Sequence, residues 1–555
     1  MPVSSLENTS HALRIQTAAP DLSDEDKKLD SIPRVNAAYH AQVVDDLKGE
    51  FLEGTRRRLF RELESWTGGR FPRDGPKQFY FLSGGAGLGK SSVAHQLCVR
   101  LDDSEQASRL AASFFFIRSE ESLSSSRLFF STLLHQLTLS QSILRPYIIA
   151  VVRDYLQRHD HQDMGSASRD LLRKAFRAAS AASELAPLFL VVDGLDECKE
   201  RRAVPDLLRS LLGLAREFRF LRIFAASRPE PYVMAVLTSP EVNSVVHHRS
   251  LDDTLDDWSS DVRLYLEKTI PKIASGSYTN FIHTHPDSLR RLVSRAAGVF
   301  IYARVAVNFL EEYSDHDPAE QFSLLLSPEG GAGLSPLDAL YLQVLRSAFP
   351  PPDLRSAPLR RERLLSLLRV ILLQHRPPMQ PAQIALFGSG TSEMSAKDVV
   401  IMVDRLRSVL LINNTGEVTP LHATFGEFLL DSERCVDPLY HVDRAKGNAC
   451  LALGCLAAFS ITNVTEYLAR PKGKVGEYVE HATVEWSAYC QDAGHNDELE
   501  SRMRTFVQGD VQAIFQRARR QAVLSGKVVS NSSALAIQQM AQFLKVSDGL
   551  FPCIY

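Results

Sequence analysis

The segment Gly84-Gly85-Ala86-Gly87-Leu88-Gly89-Lys90-Ser91 constrains the fold more than any other part of this sequence. It has the spacing G-x-x-x-x-G-K-S, it follows the short apolar run 78–82, and a helical pattern begins at Ser91. Glycines let backbone N–H groups approach phosphate oxygens, and the start of a helix adds partial positive charge. The motif therefore predicts a phosphate-binding loop between a strand and a helix.

We expect Gly84 to Ser91, together with Ser92, to surround the phosphates of ATP or ADP. Lys90 would neutralise charge on the β- and γ-phosphates, and the Ser91 hydroxyl would bind Mg²⁺. The alternative is a glycine-rich turn with an incidental lysine, which the strand and helix on either side disfavour.

A second candidate group follows the most apolar predicted strand, 188–192. Asp193 ends this strand and would bind Mg²⁺, because the carboxyl ends of parallel strands share one edge with the phosphate loop. Glu197 or Asp196 would polarise the attacking water. By itself the pattern also fits a strand followed by an acidic helix start.

A third candidate is Arg228, which follows the strand-like run 221–226. A guanidinium at that edge could reach the γ-phosphate and report its presence. The alternative is a surface arginine at a strand end.

The wider pattern alternates strands (78–82, 112–117, 188–192, 221–226) with helices, which favours a parallel sheet covered by helices. After about residue 245 we expect helices only, until the run 361–432. There, helical segments 363–373, 381–387 and 396–408 precede a hairpin of 409–412 and 418–421, joined by Asn413-Asn414-Thr415-Gly416. Three helices followed by a hairpin are typical of a winged helix.

The fold class is thus predicted as α/β: a P-loop NTPase with a parallel sheet, then a helical domain, a winged helix and an all-α C-terminal tail. The expected boundaries are a disordered N-terminus at 1–35, a helical linker at 36–70, an NTPase core at 71–244, a helical lid at 245–348, a winged helix at 349–435 and a helical region at 436–555. We expect 349–358 to be a proline-rich linker.

Charge and cysteine usage exclude several classes of protein. The 63 basic and 66 acidic residues give a net charge of −3, which provides no global field for nucleic acid or an anionic membrane. Seven cysteines without a C-x-x-C pair indicate buried thiols in a reducing compartment. No signal peptide or membrane span is evident, so we expect a cytoplasmic protein.

Further motifs give the chain a family resemblance. Gly54-Thr55-Arg56 with Trp66, Asp193-Gly194-Leu195-Asp196-Glu197, the run 297–303 (AGVFIYA) and the run 420–425 (PLHATF) join the phosphate loop in a fixed order. In this set the sequence resembles NACHT-type NTPases of the STAND class, especially the fungal NOD-like receptor family and the nephrocystin-type N-terminal NTPase domain. The resemblance covers about 50–435.

The resemblance implies a molecular switch. His422 would contact the β-phosphate of ADP and hold the molecule closed, while ATP would favour an open homo-oligomer, with slow hydrolysis as the reset. Signalling akin to innate immunity or heterokaryon incompatibility would follow, with other proteins bound through the helical regions. Only about 50 residues precede the NTPase module and no repeat array follows it, so we expect a truncated or minimal receptor, or a partner for other chains.

Two alternatives are weighed against the switch. One is a non-catalytic interaction scaffold that retains the NTPase fold. The other is a metabolic kinase or GTPase, which the missing N-K-x-D motif and the extra helical residues disfavour. Direct DNA binding is not expected, because the segment 396–408 mixes acidic and basic residues instead of forming a basic stripe.

Overall fold

The computed structural model describes residues 29–508, except for 31, 50, 70–76, 104–108, 119, 121, 159–163, 253–254, 274–276, 313–315, 328–333, 376–377, 389–393, 414, 460–480, 483–484, 487 and 494–495. The chain divides into two compact units. The first comprises residues 1–35 and 127–186, and the second comprises 36–126 and 187–555. The predicted disorder at 1–35 and the predicted helical tail beyond 508 lie largely outside the described residues.

The second unit contains a five-stranded sheet within its described residues, and every strand pair in it is parallel. Its strands are β1 (Phe79–Ser83), β2 (Leu110–Phe115), β3 (Leu188–Asp193), β4 (Leu221–Ser227) and β5 (Val246–Ser250), in the order β2-β3-β4-β1-β5. The first three strands are buried along their whole length, as expected for parallel strands covered on both faces. The predicted parallel sheet is thereby confirmed.

Strand β5 was not predicted, and the expectation that strands end near residue 245 is wrong. Its sequence, Val-His-His-Arg-Ser, is polar and only its first residue is buried, so it lacks the apolar run that marks the other strands. It pairs with β1 and is the last strand in the sheet order, so it needs a hydrogen-bonded neighbour on one side only. A polar strand of this kind is recognised only from its neighbours.

Helices flank the strands of the second unit. Those nearest to the sheet in sequence are Gln42–Lys48, Arg57–Thr67, Lys90–Asp102, Val204–Glu217 and Pro231–Leu237. We call Gln42–Lys48 the N-terminal helix and Lys90–Asp102 the P-loop helix. The helical linker predicted at 36–70 contains the helices Gln42–Lys48 and Arg57–Thr67.

The first unit contains three helices among its described residues: Phe129–Ser140, Arg145–Leu156 and Met164–Ala182. They bury apolar side chains such as Leu133, Ile148 and Phe176. In sequence they separate β2 from β3, and the Val35 amide donates to the Thr132 hydroxyl at 3.1 Å.

Helices also follow β5, as predicted. They are Leu255–Thr269, Ser277–Thr284, Pro286–Ala296, Phe300–Glu312, Pro318–Leu326 and Pro336–Ala348. The expected proline-rich linker contains a short helix, Pro351–Ser356, because proline fits the first turn of a helix.

The next segment, residues 358–429, is called here the helix-and-hairpin segment. It consists of the helices Pro358–Leu373, Pro381–Gly388 and Ala396–Asp404, the antiparallel strands β6 (Leu410–Ile412) and β7 (Val418–Pro420), and the helix Ala423–Leu429. The three predicted helices and the hairpin are therefore present. The helix Ala423–Leu429 is called the His422 helix, since His422 is its N-cap.

Beyond this segment the structure describes the helices Arg444–Phe459 and Asp497–Gln508. The six cysteines in the described part of the chain are buried thiols, and Cys553 lies outside it. Among the described residues, no helix combines the length and the apolar character needed to cross a bilayer.

Candidate nucleotide site

The phosphate loop joins β1 to the P-loop helix, as the motif predicts. Gly87 and Gly89 adopt φ angles of 74° and 79°, which only glycine reaches without strain. A Cβ atom on Gly87 would lie 2.2 Å from Cγ2 of Ile301, so glycine is also required for packing. The Ile301 amide donates to the Gly87 carbonyl at 3.3 Å, which ties the loop to the helix Phe300–Glu312.

Lys90 is the first residue of the P-loop helix, and Ser91 and Ser92 follow it in the first turn. The Lys90 ammonium donates to the carbonyls of Gly84 and Gly85, both at 2.8 Å, and burial lowers its pKa. Among the described residues, the Lys90 ammonium has carbonyl partners on the loop and no ion pair with a carboxylate. Such a cation is available to a phosphate group.

Asp193 lies at the carboxyl end of β3 and contacts the P-loop helix. The Ser91 hydroxyl hydrogen-bonds to this carboxylate, and burial raises the pKa of Asp193 to about 6 although Lys48 and Lys90 oppose the shift. Its Oδ2 atom is buried and has no hydrogen-bond partner among the described residues. A carboxylate with an unused oxygen beside a serine hydroxyl suits the oxygen preference of Mg²⁺. The residues therefore fit the predicted metal site.

Glu197 lies in a short 3₁₀ turn after β3, and both of its oxygens have partners. Oε1 is 2.8 Å from the Lys48 ammonium, and Oε2 accepts from the Arg118 amide at 3.0 Å. Burial would raise the pKa of Glu197, but Lys48 and the Arg118 amide outweigh it, and the pKa is lowered. A carboxylate held in this way is a weak proton acceptor.

Asp196 contacts the end of β4, where Arg228 lies. Its Oδ1 accepts from the Ser227 hydroxyl at 3.2 Å and from the Arg228 amide at 3.0 Å, while its Oδ2 is 3.2 Å from Arg228 Nε. Asp196 therefore fixes the backbone and the side chain of Arg228 together. These contacts orient the Arg228 side chain, and the predicted role of Asp196 toward the attacking water stays a prediction.

The other face of Arg228 pairs with Glu427 on the His422 helix. Arg228 Nη1 and Nη2 lie 3.1 and 2.9 Å from the two Glu427 oxygens, a bidentate pair. Arg118 Nη1 is 3.5 Å from the same carboxylate, and Arg434 Nη1 is 4.0 Å away. Glu427 thus connects the carboxyl end of β4, where Arg228 lies, with the helix-and-hairpin segment.

His422 completes the group from the same helix. Its Nδ1 accepts from the Thr424 amide at 3.2 Å, so the neutral ring carries its proton on Nε2 and can donate there. Burial and the nearby cations Lys48, Arg228 and Lys90 lower its pKa to about 3. The ring is therefore neutral and lies within electrostatic range of the phosphate loop.

The structure thus brings together residues that the sequence places far apart: Lys90, Ser91, Asp193, Asp196, Glu197, Arg228 and His422. Sequence reasoning missed Lys48, Arg118 and Glu427, and did not assign Arg56, whose guanidinium donates to the Leu88 carbonyl of the loop at 2.6 Å. Arg56 belongs to the Gly-Thr-Arg motif, and Glu427 lies within the run that contains His422. Lys48 had no sequence signal.

Comparison with known proteins supports the same assignment. Residues 54–228 match the family described as Nephrocystin 3, N-terminal. None of the curated proteins matches the chain significantly.

Two solved structures are among those that match this chain. A Walker-type ATPase of Pyrococcus abyssi shares 11% identity with a TM-score of 0.24, over 67% of this chain and 93% of that one. Drosophila ORC bound to AT-rich DNA and Cdc6 shares 13% identity with a TM-score of 0.28, over 98% of this chain and 79% of that one. TM-scores this low do not establish a common overall arrangement. The assignment depends on the family match and on the site: residues 54–228 are similar to the nephrocystin 3 N-terminal family and carry a P-loop NTPase-like nucleotide site.

Proposed function

We propose that this protein is an ATP/ADP-binding molecular switch of the NACHT/STAND class. The observation that carries the proposal is the convergence of the phosphate loop with the His422 helix. Lys90 and Ser91 come from one part of the chain, His422 and Glu427 from another, and all lie in one cluster of polar and charged side chains. A nucleotide bound there would contact both parts, so its phosphate chain could control how they are held together.

Each predicted residue has a role in this proposal. Gly84 to Ser92 cradle the phosphates, with Lys90 as their main cation, while Ser91 and Asp193 hold Mg²⁺, which neutralises phosphate charge when bound. The helix-and-hairpin segment acts as a winged helix, and the neutral His422 donates from Nε2 to the β-phosphate of ADP. We extend the proposed core to residue 250, since β5 belongs to its sheet.

Arg228 would distinguish ATP from ADP. Its guanidinium is shared between Asp196 and Glu427, and a γ-phosphate would compete with Glu427 for the same donors. Loss of that pair would release the His422 helix and favour an open state that forms homo-oligomers. Signalling through other proteins bound to the helical regions would follow.

Hydrolysis in this scheme is slow, because the Glu197 carboxylate is paired with Lys48 and its pKa is lowered. The same observation supports the second candidate, a non-catalytic scaffold that binds nucleotide without turnover. Comparison of ATP turnover by the wild type and a Glu197→Gln variant separates the two: equal rates favour the scaffold.

The switch is tested by light scattering after size exclusion, with ADP and with a non-hydrolysable ATP analogue. We expect a larger assembly with the analogue, and ADP in the denatured purified protein by mass spectrometry. The proposal fails if no nucleotide is retained and none binds at millimolar concentration.

A further inference from the structure

Lys48 lies in the nucleotide site although it precedes the matched residues 54–228 and belongs to no phosphate-binding motif. It is the last residue of the N-terminal helix. The chain just before this helix is fixed to the sheet: the Phe115 amide donates to the Ala37 carbonyl at 3.0 Å, and the Tyr39 amide donates to the Ser113 hydroxyl at 2.9 Å. The position of Lys48 is therefore set by contacts outside the site.

The N-terminal helix is also attached to the P-loop helix. The His95 ring on the P-loop helix contacts the Tyr39 carbonyl at 3.1 Å and Asp45 Oδ1 at 3.2 Å. The Tyr39 hydroxyl donates to Asp102 Oδ2 at 2.5 Å, at the far end of that helix. These contacts fix the position of the N-terminal helix, which carries Lys48, relative to the P-loop helix, which carries Ser91.

The Lys48 ammonium points into the group predicted to hold the metal. Nζ is 2.8 Å from Glu197 Oε1 and 3.5 Å from Ser91 Oγ, and its side chain is only 14% exposed. Burial disfavours its charge, but the carboxylates of Glu197, Asp193 and Asp196 outweigh burial, and the pKa of Lys48 is raised. Lys48 is therefore a buried cation beside the Ser91–Asp193 pair.

A fixed positive charge at this point has two consequences. It attracts the phosphates of a nucleotide, and it repels a divalent cation that approaches Ser91 and Asp193. Arg228 is already paired with Asp196 and Glu427, so Lys48 adds its charge to that of Lys90 on the loop. Lys48 thus supplies part of the positive charge that a metal ion would otherwise provide to the phosphates.

We propose that Lys48 is a tethered cation of the nucleotide site, which lets the chain bind a nucleoside diphosphate with less dependence on Mg²⁺ than the motif alone would allow. This inference rests on the proposed nucleotide function and adds a phosphate-binding residue to it.

The test measures the affinity of the full chain for a fluorescent ADP analogue, once with saturating MgCl₂ and once with excess EDTA. We expect Lys48→Met to weaken binding in EDTA by at least about tenfold and to weaken it less with Mg²⁺, so that the ratio of the two dissociation constants rises. Lys48→Arg, which keeps the charge, should restore the wild-type ratio. Lys199→Met removes an exposed lysine from the same region and should leave the ratio unchanged.

An unchanged ratio in Lys48→Met overturns the proposal, even if both affinities fall, because a uniform loss indicates a structural role. If Lys48→Met does not fold, Lys48→Gln, which retains a donor for Glu197, is measured in its place with the same criterion. If the wild type binds the analogue under neither condition, the proposed nucleotide function itself fails.

Discussion

The site has two halves that differ in how their charges are partnered. In the binding half (Lys90, Ser91 and Asp193), Lys90 contacts only carbonyls and one Asp193 oxygen has no partner among the described residues. In the clamp half (Arg118, Arg228 and Glu427), both Glu427 oxygens meet guanidinium groups. Unused hydrogen-bonding capacity prepares a surface for a ligand, whereas satisfied pairs hold elements together.

The largest effect should come from the binding half. Lys90→Ala removes the cation that faces the phosphates, and we expect nucleotide affinity to fall by at least about 100-fold. Isothermal titration with ADP measures the loss, with Lys199→Ala as the control. Retention of wild-type affinity would show that the binding half is misassigned.

A smaller effect is expected in the clamp half. Glu427→Gln keeps the shape of the side chain but removes the charge that pairs with Arg228, so the free energy of unfolding should fall by about 1–3 kcal/mol. The ratio of ADP to ATP-analogue affinity should also shift several-fold toward the triphosphate, since Arg228 is released. Chemical denaturation and titration measure the two effects.

The control for this variant is Glu433→Gln, because Glu433 is exposed and only six residues away. Equal stability of Glu427→Gln and the control would mean that the clamp contributes nothing, and the contrast between the halves would disappear.

At neutral pH the smallest effect concerns His422, which lies between the halves. In the unfolded chain its imidazole takes up a proton near pH 6.5, whereas in the folded protein it stays neutral down to about pH 3. The unfolded state binds more protons in this window, so His422 destabilises the folded protein by about 1.4 kcal/mol per pH unit as the pH falls below 6.5.

His422→Asn retains an N-cap acceptor without a titrating ring, and we expect a shallower loss of stability between pH 6.5 and 4 than in the wild type. Thermal or denaturant unfolding across this range measures the slope, and His283→Gln, at an exposed position, serves as the comparison. An identical slope in His422→Asn and the wild type would contradict the buried, neutral state of His422.

The contrast between the halves also explains how much could be predicted from the sequence. The binding half could be predicted because short motifs contain its residues. One motif is the strand, loop and helix around Lys90, and the other is the apolar strand that ends in Asp193. The parallel sheet and the hairpin around Gly416 were predicted for the same reason.

The clamp half depends on contacts between distant residues. Arg228 and Glu427 are 199 positions apart, and nothing in either local sequence indicates the pair. Lys48 ends a short helix of seven residues, and its role depends on where the chain before that helix is attached. Such residues emerge only when the packing of the whole unit is known.

Strand β5 also affects how the protein can associate with other chains. Among the described residues it is the last strand in the sheet, and an edge strand of this kind could pair with a strand of another chain. Arg249 on this strand lies 3.7 Å from Glu62, and His247 lies 2.9 Å from the same carboxylate, so polar and charged side chains follow this strand. Charged edge strands resist sheet extension, so the polar composition that hides β5 from sequence analysis also protects the molecule from aggregation.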